Sequence, residues 1–154
     1  MRIGVLYNVS DFAKTNTFVE MTADAETPLT VRAVKAVFDK RHTVIPINFT
    51  PHIYSYLAEG NVDILFNMCE GFRNDNLGEA YAAALLEQLQ IPFTGSNLFC
   101  LALCLDKART KEILRCHHLP TPDFGVVKKE DDLENLDVPF PVILKPLHED
   151  ASIG

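Results

Sequence analysis

Strand-length apolar runs alternate with helix-length segments through residues 1–96, and this alternation constrains the fold more than any other feature. Strands are expected at residues 3–7, 42–49 and 62–68, and helices at 27–40, 51–59 and from Asn76 or Gly78 to residue 90. Such an order is typical of an α/β fold with a parallel sheet covered on both faces. Pro46 predicts that the second strand lies at a sheet edge, because proline cannot donate a ladder hydrogen bond.

Two connections are longer than the roughly 2–6 residues usual between a strand and its helix. They span residues 8–26, after the first strand, and residues 69–77, after the third. Both leave the edge of the sheet at which ligands bind, where long loops are more often functional than accidental. Neither contains the Gly-x-Gly-x-x-Gly fingerprint of a dinucleotide site.

The pattern changes after Asn97. An apolar helix is expected at 97–105, and Asp106 is expected to cap a second helix that runs to Cys116. Short strands are predicted at 124–127 and 141–146. Two short strands cannot close a core of their own. We therefore expect a first domain at 1–97 and the incomplete beginning of a second domain at 98–154.

Charge and composition exclude several classes of protein. The net charge is −7, with 14 basic against 21 acidic residues, which disfavours binding to nucleic acid. No apolar run approaches the roughly 20 residues of a membrane helix, so we expect no membrane contact and a cytoplasmic setting. The four cysteines match no common zinc-ligand spacing. They are predicted to be buried free thiols, and no metal site is expected among them.

Lys145 stands at the end of the apolar run Val142-Ile143-Leu144. An ammonium ion in a buried strand is costly unless an anion meets it, and this predicts a ligand phosphate. The alternative is an amine that reaches solvent at the end of the strand. The polar loop at 148–154 follows directly, and its backbone N–H groups and hydroxyl suit a phosphate.

Lys107 supports the same interpretation, because it follows the predicted cap Asp106 at the positive end of a helix dipole. A bound anion would offset the cost of a cation at that position. Lys111 and Arg115 continue at spacings of four residues, and a solvated helix face is sufficient to explain these two side chains.

Five blocks in a fixed order resemble the D-alanine–D-alanine ligase group of ATP-grasp enzymes over essentially the whole chain. They are 63–71 (DILFNMCEG), 86–96 (LE…IPFTGS), 103–111 (L…DK…TK), 119–122 (LPTP) and 141–154 (PVILKP…SIG). The FNMCEG form is similar to a divergent branch of that group. The resemblance implies a parallel-sheet, Rossmann-like pre-ATP-grasp domain followed by the truncated start of an ATP-grasp domain.

The resemblance also implies roles for particular residues. The ATP-binding residues would be Lys107, Lys145, Ser152 and Gly154. The amino group of the first substrate would be held by Glu26 or Asp24, placed just before the first helix, with Glu70 and Glu79 as further substrate-binding candidates. Solvated carboxylates with no ligand are the alternative for all four acids. The Mg²⁺ ligands of the family belong to a segment that this sequence lacks.

The implied reaction is ATP-dependent ligation of a small-molecule carboxylate to an amine through an acyl phosphate, and the present chain alone is expected to be inactive. The sequence Asp150-Ala151-Ser152 stands where the family has Gly-Ser-Ser, so the substrate need not be D-alanine.

Two other functions fit parts of the sequence. A non-catalytic, flavodoxin-like binding or regulatory module would share the parallel-sheet pattern of residues 1–96. An interaction domain or homodimer could use an apolar patch formed by Phe99, Leu101, Leu103 and Leu105. Residues 97–154 discriminate between these functions and the ligase, because a module has no use for Lys107, Lys145 and a glycine loop in that order.

Overall fold

The computed structural model describes residues 1–8, 18–71, 75, 77–134 and 136–148, with backbone only at 18–27. These residues form two compact units, Met1–Ala102 and the residues from Leu103 onward. None of the helices described is long and apolar enough to cross a membrane.

The first unit is built on a parallel sheet of three strands in its described residues. The strands are β1 (Arg2–Tyr7), β2 (Thr43–Asn48) and β3 (Ile64–Met68), in the spatial order β2-β1-β3. Val5 of β1 lies opposite Pro46 on one side and Phe66 on the other. The predicted parallel α/β fold is confirmed, and Pro46 lies on an edge strand, as the sequence indicates.

Alternate side chains of β1 enter two different cores, because successive residues of a strand point to opposite faces. Val5 packs with Val31 and Val44 beneath the helix α1 (Phe18–Phe38). Leu6 packs on the other face against α2 (Ile53–Ala58) and α3 (Gly78–Gln88), in a core that contains Leu57, Leu65 and Leu86. The sheet is thus covered on both faces.

Helix α1 begins earlier than the sequence predicts. It starts at Phe18 and continues through Pro28, whereas the expected start is residue 27. Proline is typical of a first helical turn, but inside a helix it removes one backbone hydrogen bond and need not end the helix. The predicted loop at 8–26 is therefore wrong over its second part. Asp24 and Glu26 lie within α1 and not in a loop before it.

The last three helices are α4 (Leu98–Cys104), α5 (Lys107–Cys116) and α6 (Asp131–Glu134). The strands predicted at 124–127 and 141–146 are wrong, since neither segment is a β-strand in the structure. A strand persists only where a neighbour satisfies its backbone N–H and C=O groups, and no strand partner lies beside these segments among the described residues. Ile143 and Leu144 are consequently 82% and 86% exposed.

The predictions for the cysteines and the apolar patch are correct only in part. Cys69 is buried, but Cys100, Cys104 and Cys116 are exposed, because the helices that carry them turn those positions toward solvent. In the patch predicted after residue 97, Phe99 is 74% exposed whereas Leu105 is buried.

Candidate functional site

The carboxyl edge of the sheet is organised by side-chain amides. Asn8, which follows β1, accepts a hydrogen bond from the backbone N–H of Glu70 at 2.8 Å through its Oδ1. Asn67 of β3 likewise accepts from the N–H of Cys69 at 3.2 Å. The ends of β1 and β3 are thus joined, and Glu70 is held at the edge where ligands bind in parallel sheets.

Thr94 extends this edge beside β3. The backbone of residues 92–94 pairs with Leu65, and the Thr94 Oγ1 accepts from the N–H of Asn67 at 3.0 Å. The segment IPFTGS, one of the five family-like blocks, therefore lies alongside the strand that carries Asn67 and leads into Glu70.

Cys69 is buried at this edge, where the charges of Glu70 and Glu79 act on its thiol. Its Sγ donates to the carbonyl of Gly71 at 3.4 Å. Burial is the main cause that raises the pKa of the thiol to about 11, and the negative charges of Glu79 and Glu70 make smaller contributions in the same direction. The thiol is therefore protonated at neutral pH and is not a nucleophile. The same two charges would favour a cationic group of a ligand.

Glu79 owes its position to the start of α3. Asp75 accepts from the N–H of Leu77 at 2.9 Å with its side chain and from the N–H of Gly78 at 2.9 Å with its backbone carbonyl. This turn starts the helix, so Glu79 falls in the first helical turn and is half-buried. A carboxylate is stabilised there by the helix dipole.

In the second unit, Asp106 caps α5, as the sequence predicts. Its backbone is extended, and its carboxylate accepts from the N–H of Arg109 at 2.9 Å. Lys107 is thereby fixed as the first helical residue. Its backbone N–H and its Nζ both donate to the carbonyl oxygen of Leu147, at 3.3 and 3.5 Å. The start of α5 thus contacts the segment that carries Lys145.

Lys145 itself is exposed. The prediction that it lies in a buried strand is wrong, because the preceding apolar residues are themselves exposed. The solvent-reaching alternative describes the side chain in this structure. Burial therefore does not support a phosphate site at Lys145, and the observation that remains is the contact of Leu147, two residues beyond it, with the start of α5.

Lys111 and Arg115 are not simply solvated side chains on one face of α5. Both cations lie over the ring of Phe124, at 5.3 Å and 4.6 Å from its centroid. The Lys111 Nζ also donates to the carbonyl of Pro122 at 3.1 Å, and Arg115 pairs with Asp123 at 2.8 Å. The sequence signal for this arrangement is the four-residue spacing of Lys111 and Arg115, followed by the TPDF segment at 121–124.

Several predicted site residues fall outside the described structure. Ser152 and Gly154 are among them, as are the side chains of Asp24 and Glu26. Among the described residues, the charges of Glu70 and Glu79 both act on Cys69, and Lys107 contacts the segment that carries Lys145. No group of three or more His, Cys, Asp or Glu side chains in that part of the chain could hold a metal ion.

Comparison with known proteins finds D-alanine–D-alanine ligases among the matches. The chain is 32% identical over 136 residues to D-alanine–D-alanine ligase B of Pseudomonas putida, a match that covers 84% of this chain and 42% of that protein. It is 48% identical over 73 residues to the D-alanine–D-alanine ligase of Hydrogenovibrio crunogenus, covering 46% of this chain and 23% of that one. The relationship to the D-alanine–D-alanine ligase-like ATP-grasp family is confirmed.

The solved structures agree on the fold. The crystal structure of D-alanine–D-alanine ligase from Bacillus anthracis matches with a TM-score of 0.65 and 22% identity, covering all of this chain and 48% of that one. A structure of the same enzyme complexed with ATP matches with a TM-score of 0.53 and 21% identity, covering 80% of this chain and 39% of that one. No family model matches the sequence.

The extent of these matches bears on the alternative of a non-catalytic, flavodoxin-like module. The chain spans less than half the length of the ligases it matches. A match over 84% of the chain necessarily extends beyond residue 97, so the similarity includes the region that a flavodoxin-like module would not need.

Proposed function

We propose that the chain is the amino-terminal part of an ATP-dependent ligase that joins a small-molecule carboxylate to an amine. The similarity to D-alanine–D-alanine ligases on both sides of residue 97 supports this function. The observation that carries the site assignment is the contact of Lys107 with the Leu147 carbonyl. It joins two family-like blocks that are separated by about forty residues.

The proposed reaction has two steps. A carboxylate oxygen of the first substrate attacks the γ-phosphorus of ATP, the bond to the β-phosphate bridging oxygen breaks, and ADP leaves. The amine nitrogen of the second substrate then attacks the acyl carbon, the acyl–phosphate bond breaks, and inorganic phosphate and a proton are released. The product is an amide.

The nucleotide side of the proposed site lies in the second unit. Lys107 and Lys145 would neutralise phosphate oxygens, while Ser152 and Gly154 would offer a hydroxyl and backbone N–H groups. The two lysines supply positive charge that is fixed before the reaction begins, and such preorganised charge stabilises the charge that develops on a transferring phosphoryl group.

The substrate side lies at the carboxyl edge of the sheet. Glu70 and Glu79 create a negative environment around Cys69, which suits the ammonium group of an amino acid. Asp24 and Glu26 are further candidates for the same role, from helix α1. Because Asp150-Ala151-Ser152 departs from the family's Gly-Ser-Ser, the proposal specifies the substrates only as a carboxylate and an amine.

Further parts of the proposal concern the whole protein. Mg²⁺ would accompany ATP, with ligands outside this sequence. The division into a substrate-side domain at 1–97 and an ATP-grasp domain that begins at 98 is part of the proposal, as is a cytoplasmic setting. The proposal includes neither nucleic acid nor a membrane as a partner, and it allows a homodimer.

A titration with ATP, followed by NMR of the purified 154-residue chain, tests this function. We expect shifts of the Lys107 and Lys145 amide signals with ATP and none with adenosine, because the phosphates are what the lysines bind. Lys107→Met and Lys145→Met should each weaken the response, whereas Lys129→Met, which removes an exposed lysine of the same unit, should not. Equal responses to ATP and adenosine, or none in the wild-type chain, would refute the assignment.

The proposed inactivity of this chain has its own assay. With ATP, Mg²⁺ and amino acids present, the purified chain should release no ADP above the background rate. ADP release that Lys145→Met abolishes would show that the chain is active by itself.

A further inference from the structure

The first residue of α5 holds the segment that carries Lys145. The first N–H groups of a helix have no partner within the helix. In α5 the backbone N–H of Lys107 finds one in the Leu147 carbonyl, at 3.3 Å, and the Nζ of the same residue donates to the same oxygen at 3.5 Å. One carbonyl, two residues beyond Lys145, therefore accepts from both donors of one lysine.

Residues 142–145 gain little order from strand pairing or from burial. Residues 142–145 are exposed, and their backbone pairs with no strand among the described residues. The side chains of Ile143 and Leu144 contribute little burial, being 82% and 86% exposed. The Lys107 contact with the half-buried Leu147 is thus one fixed point for residues 145–148.

We propose that Lys107 is a positioning residue for Lys145, in addition to its own proposed contact with phosphate. By holding the Leu147 carbonyl, it sets the separation of the two lysines before a nucleotide arrives. This inference rests on the proposed nucleotide site. Preorganisation of this kind lowers the ordering cost of binding.

The position of Lys107 in the helix allows the two donors to be removed one at a time. Lys107→Arg keeps both a backbone and a side-chain donor. Lys107→Met keeps the backbone donor alone. Lys107→Pro removes both, and proline is well tolerated at the first position of a helix. The Asp106 cap, which bonds to Arg109, is untouched in all three variants.

The first measurement is the amide order parameter of residues 145, 147 and 148, without nucleotide. It should stay near the roughly 0.85 of rigid backbone in the wild type and in Lys107→Arg, fall in Lys107→Met, and fall toward about 0.6 or below in Lys107→Pro. Lys111→Met is the matched control, since its amine bonds to Thr121 and Pro122 and not to Leu147. Rigid residues in Lys107→Pro, or an equal loss in Lys111→Met, would overturn the inference. A loss in Lys107→Pro alone would overturn the part assigned to the amine.

The second measurement separates positioning from charge. Lys107→Met and Lys107→Pro both lack the amine, and of the two only Lys107→Met keeps the backbone donor to Leu147. If Lys107 positions Lys145, the ATP response at the Lys145 amide is weaker in Lys107→Pro than in Lys107→Met. Equal responses refute the positioning role while the nucleotide site stands. If the wild-type chain does not respond to ATP, the nucleotide site fails, and the order parameters alone decide whether the contact exists.

Discussion

Removal of the α5 cap gives a prediction whose magnitude follows from the structure. Asp106 accepts from the N–H of Arg109 at 2.9 Å, and the first turn of α5 contains no acidic residue. Replacement of such a cap by alanine costs about 1 kcal/mol. Because about 1.4 kcal/mol corresponds to a factor of ten, the Arg109 amide should exchange with solvent roughly fivefold faster in Asp106→Ala.

Asp106→Asn separates the hydrogen bond from the charge. Asparagine keeps the accepting oxygen and loses the favourable interaction of a negative charge with the helix dipole, about 0.3–1 kcal/mol. We expect the Arg109 amide in this variant to exchange faster than in the wild type but more slowly than in Asp106→Ala. Native-state hydrogen exchange by NMR measures this amide directly.

The control removes an equal charge elsewhere in the unit. Asp131 pairs with Lys129 at 3.3 Å, so Asp131→Ala should leave exchange at Arg109 unchanged. If Asp106→Ala exchanges like the wild type, or if Asp131→Ala accelerates the Arg109 amide equally, the cap does not stabilise α5 in the way described.

Three further predictions concern the first unit. Gly4→Ala should lower the free energy of unfolding by about 1–3 kcal/mol in chemical denaturation, because a Cβ there would lie 2.5 Å from the Leu65 Cδ2 in a full core; unchanged stability would contradict this. Asp63 is hydrogen-bonded by Arg2, which lowers its pKa below the ordinary 3.8. The stability that the Asp63 carboxylate adds is therefore fully present above pH 3.8 and is lost as the pH falls through the lowered pKa of the folded protein. An Asp63→Asn variant with the same acid unfolding curve as the wild type would argue against this contribution. At pH 8 a thiol reagent should label the three exposed cysteines in the folded protein and Cys69 only after unfolding; rapid labelling of Cys69 would show that its thiol is not buried with a raised pKa.

The sequence predicts those elements whose partners are close along the chain or whose signals are local. The β1, β2 and β3 runs, the short helix before Gly60 and the Asp106 cap all follow from apolar periodicity and single-residue preferences. The edge position of β2 follows from Pro46 alone. These preferences act within a few residues, so they can be interpreted without knowing the fold.

Features that depend on distant partners were predicted poorly. The strand at 141–146 fails because its formation depends on a neighbour, which the run of apolar residues does not reveal. The placement of Lys111 and Arg115 over Phe124 needs the return of the chain after α5. The start of α1 was misplaced because Pro28 has the same local signature at the beginning of a helix and within one.

For the candidate site, the sequence identified residue types but not their surroundings. Glu70 and Glu79 were named from the family resemblance, whereas their shared effect on Cys69 and the Asn8 contact emerge only from the folded sheet. The pairing of Lys107 with the Leu147 carbonyl could not be predicted, since a backbone acceptor carries no side-chain signal.

The outer margin of β2 has a consequence for self-association. The N–H groups of Thr43 and Phe49 donate to the carbonyls of Met1 and Tyr7, so the backbone N–H groups of odd-numbered residues point toward β1 and the backbone nitrogen of Pro46 points away from it. At that point the margin offers no N–H to an approaching backbone. A second molecule that tried to extend the sheet from this side would leave one of its carbonyl groups without a partner, which discourages open-ended stacking of copies through β2.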